Sequence, residues 1–228
     1  FGLFSLPAGW LGDKWSREGM MLVFFFGIGL ASIATALAQT PLQIALGLFL
    51  IGVFGAIYHP VGLTLVVHGR IRTGLPIAVN GVFGNLGVAC AALLAGYFVD
   101  QGGWRLAFIW PGIVTLAIGI AYAIFLFRAR WDSTEHREEG RSVTASEVVG
   151  GVQLNRRLLI WVFSIVFFST AIGSLVFQST TFALPKIFDE RLGELAFSAT
   201  LVGWYAFVVF SIASMGQVVV GYLLDRFS

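Results

Sequence analysis

Apolar and charged positions alternate in long blocks along this chain of 228 residues. Asp, Glu, Lys and Arg are absent from residues 19–66, 73–99, 106–127 and 158–185. About 20 apolar residues are enough for a helix to cross the hydrocarbon core of a bilayer. The blocks therefore predict membrane helices near residues 20–38, 42–67, 75–99, 106–127, 158–182 and 197–222, preceded by a helical stub at 1–8.

The same blocks argue against strands, because they lack period-two alternation and lipid offers no partner for unpaired backbone groups. Composition agrees: 57% of the residues are hydrophobic and 11% are charged, whereas soluble domains carry about 25% charged residues. A soluble core of this size could not bury so much apolar surface. The predicted fold class is all-α, a polytopic transmembrane helical bundle.

Two similar strings of eight residues occupy opposite ends of the chain, at residues 9–16 and 221–228. Each reads Gly-aromatic-Leu-x-Asp-cation-aromatic-Ser, and each closes an apolar run. Their separation is too long for a local repeat. A bundle built from two related halves, with the same segment recurring once in each half, explains the duplication.

Charge placement predicts the orientation in the membrane. If the segment around Asp13 is cytoplasmic, three of the 14 basic residues, Arg105, Lys186 and Arg191, fall outside. The others fall inside: Lys14, Arg17, Arg70, Arg72, Arg128, Arg130, Arg137, Arg141, Arg156, Arg157 and Arg226. This positive-inside bias predicts an inner or plasma membrane protein with both motif copies and the central polar segment in the cytoplasm.

A single long polar segment divides the chain into three parts. Residues 1–127 form the first predicted half, 128–157 a central cytoplasmic loop, and 158–228 the start of the second half. Within the loop, Thr144 and Glu147 have capping-box spacing and predict a short surface helix; a solvated linker is the simpler interpretation. The chain begins without Met inside an apolar run, so we expect it to be part of a longer protein.

The sequence contains little that suggests an enzyme. Its histidines (His59, His68 and His136) are scattered and Cys90 stands alone, so no metal or cofactor is predicted. The chain lacks the Gly-x-x-x-x-Gly-Lys-Ser/Thr phosphate loop and the common hydrolase strings. A basic-aromatic surface for nucleic acid is also missing from the pattern. Energy is therefore expected from a solute or ion gradient.

The duplicated motif resembles the signature of the major facilitator superfamily, Gly-x-Leu-x-Asp-Arg/Lys-x-Gly-Arg/Lys-Arg/Lys. In the first copy Ser16 and Glu18 depart from it. The matching residues are Gly9, Leu11, Asp13, Lys14 and Arg17 in the first copy, and Gly221, Leu223, Asp225 and Arg226 in the second. The resemblance implies the fold of two pseudo-symmetric six-helix halves, here incomplete, running from the end of the second helix to just past the eighth.

The resemblance also implies a mechanism: secondary active transport of a small organic solute by alternating access, in a monomer. The motif would act as a latch at the cytoplasmic face, made in one access state and broken in the other. In this interpretation Gly9 and Gly221 permit a close helix crossing, while Asp13 contacts Lys14 or Arg17. The alternative is that these charges only fix the topology.

Two further segments resemble the fosmidomycin-resistance branch of the superfamily. They are Tyr58-His59-Pro60 in the fourth helix and the fifth-helix string from Asn80 to Asn85. This resemblance favours efflux of a drug or metabolite. Leu48 and Cys90-Ala91 depart from the motifs of the best-known drug/proton antiporters. Export by a different coupling stays open. Proton-linked uptake of an organic acid or other small nutrient is the alternative function, and a non-transporting receptor or sensor is a minor one.

Polar residues inside the predicted helices are candidates for the translocation pathway, because such residues are costly in lipid. Histidine changes charge near neutral pH, so His59 could carry a coupling proton; a hydrogen-bonded structural histidine is the alternative. Asn80 and Asn85 lie five residues apart and point to different sides. Gln178 lies in a stripe whose hydroxyls could instead bond to their own helix. The candidate residues are Tyr58, His59, Asn80, Asn85 and Gln178.

Overall fold

The computed structural model describes residues 2–69, 73–135, 156–192 and 198–227, and within them it contains helices and no strand. The helices are α1 (Gly2–Lys14), α2 (Arg17–Ala36), α3 (Pro41–Gly55), α4 (Leu63–Val67), α5 (Gly74–Gly102), α6 (Leu106–Glu135), α7 (Arg156–Arg191) and α8 (Ala199–Phe227). A π-helical turn, Tyr58–Gly62, joins α3 to α4. The all-α prediction is confirmed.

Six helical stretches in the described residues are long and apolar enough to cross a membrane, and they follow the predicted order. Their outward faces carry large apolar side chains: Phe83 is 70% exposed, Phe125 63% and Ile212 68%. Such a surface is unfavourable in water and suits lipid. The described helices therefore have the form of a membrane bundle.

Helix ends differ from the prediction at both copies of the motif. The stub expected at residues 1–8 continues as helix to Lys14, and α8 continues to Phe227 instead of ending near 222. Most of each motif is thus the last turns of a helix and not a loop, because neither copy contains a proline that would stop the helix earlier. The capping box expected at Thr144 lies outside the described residues.

Local capping chemistry explains several of the boundaries. Ser16 is the N-cap of α2, and its hydroxyl accepts a hydrogen bond from Gly19 N at 3.0 Å. Thr40 and Gln43 form a capping box at the start of α3, with a proline at the first helical position. Gly103 follows α5 with φ of 87°, a conformation that favours glycine.

Two apolar clusters hold the helices together. The first joins α1, α2 and the π-helical turn through the buried residues Ala8, Met20, Met21, Ile57 and Val61. The second joins α5 and α8 through Ala89, Ala206 and Phe210, with partly buried side chains of α7 against it. Helix α2 also packs against α3 and α6. The fifth helix, which the sequence assigns to the first half, therefore packs against a helix of the second half.

Helices α5 and α8 run antiparallel along a shared seam. Near the start of α5, a Cβ atom on Gly81 would meet the side chain of Gln217, and near its end one on Gly96 would meet the backbone of Ala199. The pairing of an early residue with a late one fixes the direction. We refer to the bundle end where α1 finishes and α5 begins as the Asp13 end, and to the other as the Asp100 end.

Candidate functional site

The first motif copy forms one ion pair between adjacent helices. Arg17 Nη2 lies 3.0 Å from Asp13 Oδ1, with the Asp13 side chain 68% exposed and that of Arg17 33%. Lys14, the other candidate partner, instead places Nζ 4.9 Å from the centre of the Trp10 ring. The pair spans four residues, so it fixes the short turn from α1 into α2.

Glycines of the motif contact the π-helical turn. A Cβ atom on Gly9 would lie 3.2 Å from Pro60 Cβ, and one on Gly12 would lie 2.9 Å from Val61 Cγ2. Sequence analysis singled out Gly9 and overlooked Gly12, which is buried and has the tighter contact. The sequence gives one indication that Gly12 differs from its counterpart: the second copy has Leu224 at the same position. Beside these contacts, residues of the motif and of the turn line a cavity of about 130 Å³.

The two departures from the family signature contact each other. Ser16 Oγ donates a hydrogen bond to Glu18 Oε2 at 3.0 Å while also capping α2. Glu18 lies in the first turn of α2, where a carboxylate is favoured by the exposed N–H groups. Together the two residues serve the start of α2, which explains why a hydroxyl and an acid can occupy these positions.

The π-helical turn follows from Pro60, which has no N–H to donate to the carbonyl four residues before it. Just after the turn, in α4, the Thr64 hydroxyl lies within hydrogen-bonding distance of the carbonyls of Pro60 and Val61. Turns of this kind are frequent at functional sites. Here the turn carries Tyr58, which contacts the neighbouring helices, and the exposed His59.

Tyr58 connects the turn to α5. Its hydroxyl donates a hydrogen bond to Asn80 Oδ1 at 2.6 Å, and its ring lies 5.5 Å from that of Phe24 on α2. Beside Asn80, a cavity of about 380 Å³ opens toward the Asp13 end. A partly buried hydrogen bond between helices, next to a cavity, offers polar groups for which a solute can compete.

The remaining candidates are not brought to this pair as a group. His59 follows Tyr58 in the turn and is exposed, Asn85 is partly buried farther along α5, and Gln178 is exposed on α7. In the same polar stripe, Thr181 donates to the carbonyl of Phe177 at 2.8 Å, the back-bonding that the sequence left open. The structure therefore joins Tyr58 to Asn80 and leaves Gln178 apart.

The second motif copy ends α8 at the Asp13 end, the same end of the bundle as the first copy. Arg226 Nη1 lies 3.3 Å from the hydroxyl of Tyr222, one turn earlier. The side chain of Asp225 and the surroundings of Gly221 lie outside what the structure describes. Among the described residues, no group of three or more His, Cys, Asp or Glu side chains is arranged to hold a metal ion.

Comparison with known proteins gives one family and several relatives. The sequence pattern described as Major Facilitator Superfamily matches residues 1–228. The "Probable actinorhodin transporter" of Streptomyces coelicolor is 31% identical over 135 residues, covering 54% of this chain and 22% of that protein. The "Putative multidrug resistance protein MdtD" of Salmonella dublin is 34% identical over 128 residues, covering 54% and 26%.

A third relative, the "Probable sulfoacetate transporter SauU" of Cupriavidus necator, is 24% identical over 127 residues, 55% of this chain and 30% of its own length. The matched segments span 22%, 26% and 30% of these relatives. No solved structure gives a significant match. The family pattern covers the whole chain, and the duplicated motif and apolar helices agree with it. The chain belongs to the Major Facilitator Superfamily.

Proposed function

We propose that the protein carrying this chain is a secondary transporter that exports a drug or metabolite across a cell membrane by alternating access. The observation that carries the proposal is the placement of both motif copies at one end of the bundle, with the first copy packed on the turn that holds Tyr58. A gate of this kind needs the same element in both halves on one side of the membrane.

A continuous set of contacts leads from the motif to the candidate pathway. Gly12 contacts Val61 in the π-helical turn, and the same turn carries Tyr58, which bonds to Asn80 on α5. One residue later, Gly81 faces Gln217 on α8. A shift of α1 is therefore transmitted to the seam between the halves by side chains in direct contact, without a long-range force.

The latch would change the relative populations of two access states, one open and one closed at the motif end. A contact that forms in one state shifts this equilibrium by no more than the free energy of that contact. In the proposed cycle, the motif end closes toward the cytoplasm while the solute leaves on the other side. Tyr58, Asn80 and Asn85 are proposed to line the route on the first half, and Gln178 on α7.

His59 is proposed to take up and release the coupling proton. It lies in the π-helical turn beside Tyr58, with the two ring centres 5.8 Å apart. The test is His59→Gln, assayed for transport in proteoliposomes between about pH 5.5 and 8, the range in which histidine changes charge. We expect the transport rate of the parent to depend on pH and that of His59→Gln to be constant over this range. Unchanged transport across that range would remove His59 from the coupling.

Direction is supported by the name of one relative, the "Putative multidrug resistance protein MdtD", and by the segments that resemble the fosmidomycin-resistance branch. The second candidate is proton-linked uptake of an organic acid; the name "Probable sulfoacetate transporter SauU" supports its solute class. Both relatives are similar to this chain over about half of its length. The two functions use the same alternating cycle and differ in which state binds the solute more tightly.

Two measurements separate these candidates. Deletion of the gene sensitises cells to a toxic compound if the protein exports it, and abolishes growth on one carbon source if the protein imports it. Counterflow in proteoliposomes with the compound so identified then gives the direction. A protein that bound the compound and never moved it would be a sensor, and the transport proposal would fail.

Membrane orientation is proposed from the basic residues, with the Asp13 end in the cytoplasm of a monomer in the inner or plasma membrane. Single cysteines at Lys14 and Arg226, in a Cys90→Ala background, test it. Both positions should react with an impermeant maleimide only in inverted vesicles. Reaction of the two positions from opposite sides would contradict the two-half architecture.

A further inference from the structure

We propose that Asp100 is a positioning residue for the transport cycle: its carboxylate caps α8 from α5 and so holds the two halves together at the Asp100 end. The proposal goes beyond the motif and the candidate pathway, which lie toward the other end. It rests on the alternating-access cycle proposed above. Asp100 is the last acid before α5 ends, two residues from Gly102.

Three hydrogen bonds join the Asp100 carboxylate to the start of α8. Ala199 N donates to Oδ1 at 3.2 Å, Thr200 N donates to Oδ2 at 2.8 Å, and Thr200 Oγ1 donates to Oδ2 at 2.6 Å. The next amide, Leu201 N, donates to Ser198 Oγ at 3.2 Å. The first three amides of α8, which have no acceptor within the helix, are thus satisfied.

The acceptor for this cap comes from a different helix. An ordinary N-cap is the residue directly before the helix, whereas Asp100 lies 99 and 100 residues from its two partners along the chain. Ser198 supplies the ordinary local cap. The Asp100 bonds therefore exist only while the end of α5 lies against the start of α8.

The backbones of the two helices approach closely beside the cap. A Cβ atom on Gly96 would collide with the carbonyl of Ala199, and one on Gly203 would lie 2.6 Å from the carbonyl oxygen of Ala92. Farther along the seam, Ala89 and Ala206 are both fully buried. Small side chains at these positions let the two helices approach closely, and this close approach brings the Asp100 carboxylate to the start of α8.

Charge adds to the geometry. The unpaired amides at a helix N-terminus carry partial positive charge, which favours a carboxylate next to them. Asp100 is exposed to solvent, so water weakens this attraction. Separation of the two helices still removes the attraction together with the three hydrogen bonds. The contact exists only in the state that is closed at the Asp100 end. Its free energy therefore shifts the equilibrium toward that state.

The experiment measures how often this end opens, using a reporter that does not depend on transport. Val202→Cys in a Cys90→Ala background places a thiol at a half-buried position, in a cavity of about 350 Å³ beside Gly96. The full-length protein in oriented vesicles is labelled with an impermeant maleimide from the Asp100 side. The rate of labelling reports the fraction of molecules open at that end.

We expect Asp100→Ala to raise the labelling rate about three- to fivefold, the change that loss of one helix cap gives. Asp100→Asn should have a smaller effect, because the amide oxygen still accepts while the charge is gone. Asp189→Asn on α7 is the control: it removes an exposed carboxylate that lines the cavity of Val202 and has no part in the proposed contact with the start of α8. Its labelling rate should equal that of the parent.

Thr200→Val is a milder variant that tests the proposal if Asp100→Ala expresses poorly. It removes only the hydroxyl that donates to Asp100 Oδ2. It should raise the labelling rate about twofold, and Thr200→Ser should restore the parent rate. Combined with Asp100→Ala, Thr200→Val should add nothing further, because both act through one contact.

Parent-like labelling in Asp100→Ala, or an equal rise in Asp189→Asn, would overturn the proposal. A lowered thermal stability with an unchanged labelling rate would also overturn it, since that is the result of a purely structural cap. Because the label reports conformation alone, a protein that moved no solute could still show the rise. The proposed transport function would then fail while the role of Asp100 stood.

Discussion

Asp13 and Asp100 occupy opposite ends of the bundle and make different kinds of contact. Asp13 pairs with Arg17, four residues further along the same half, through one contact at 3.0 Å. Asp100 accepts three hydrogen bonds from α8, which belongs to the other half. Rigid movement of one half against the other leaves the first contact intact and breaks the second.

This difference changes how the family motif is expected to work in this chain. The ion pair of the motif lies within one half, so it cannot by itself distinguish the two access states. What it can do is hold α1 and α2 in the arrangement that seats Gly12 against Val61. We therefore expect the motif to act by packing on the π-helical turn, and the Asp100 contact to act directly between the two proposed halves.

The largest effect is expected from filling the contact of Gly12. Gly12→Val would drive two methyl groups into Val61 and push α1 away from the turn. It should lower the free energy of unfolding by about 1–3 kcal/mol and abolish transport. Thermal unfolding of the purified protein and uptake into vesicles measure the two effects.

Gly84→Val is the matched control, because a Cβ atom at Gly84 meets nothing within 4 Å. Both substitutions place a β-branched residue in a helix, so intrinsic helix propensity cancels between them. Equal losses in the two variants would show that the motif does not act through the contact of Gly12 with the turn.

A smaller effect is expected at the hydrogen bond between Tyr58 and Asn80. Tyr58→Phe removes the donor and leaves the ring in place, so stability should fall by about 0.6–1 kcal/mol. Transport should fall about threefold if the bond links the turn to the pathway. The comparison is Tyr97→Phe, which alters a tyrosine that is 46% exposed on α5, the helix that carries Asn80. If the two variants behave identically, the hydrogen bond between Tyr58 and Asn80 does not link the turn to the transport pathway.

The smallest effect is expected from the ion pair itself. Asp13→Asn should change stability by no more than about 0.5 kcal/mol, because exposed pairs four residues apart contribute little. Transport should fall about twofold with normal membrane insertion. Uptake assays alongside quantification of the protein in the membrane test this. Unaltered transport would mean that Asp13 fixes topology only, and a rise in labelling at Val202→Cys would mean that it acts between the halves.

The helical spans were predictable because the requirement for them is local. A run of apolar residues long enough to cross the bilayer must form a helix, since lipid satisfies no backbone group. The resemblance of the motif to its family was equally readable, since it depends on residue types at fixed spacing. The helical conformation of the motif was not predicted. The end of α1 is set partly by Ser16, which caps the start of the following helix, α2.

Side-chain partners were the part that sequence reasoning missed. Tyr58 and Asn80 were each singled out as polar groups in a membrane, but nothing in a single sequence indicates that they bond across 22 residues. Asp100 was passed over because an acid at the end of an apolar run is ordinary at a membrane surface. Its importance becomes visible only when the start of α8 is placed beside it.

Local requirements thus account for what the sequence alone determined: the membrane class, the order of the helices and the duplicated motif. Tertiary structure decided which helix of one half meets the other half, where the motif makes its contacts, and which acid spans the seam. These choices depend on close packing between segments far apart in the chain. The apolar pattern of a membrane helix does not indicate which side packs against another helix. Small residues such as Gly96 and Gly203 allow close packing, but only the structure shows which backbone faces them.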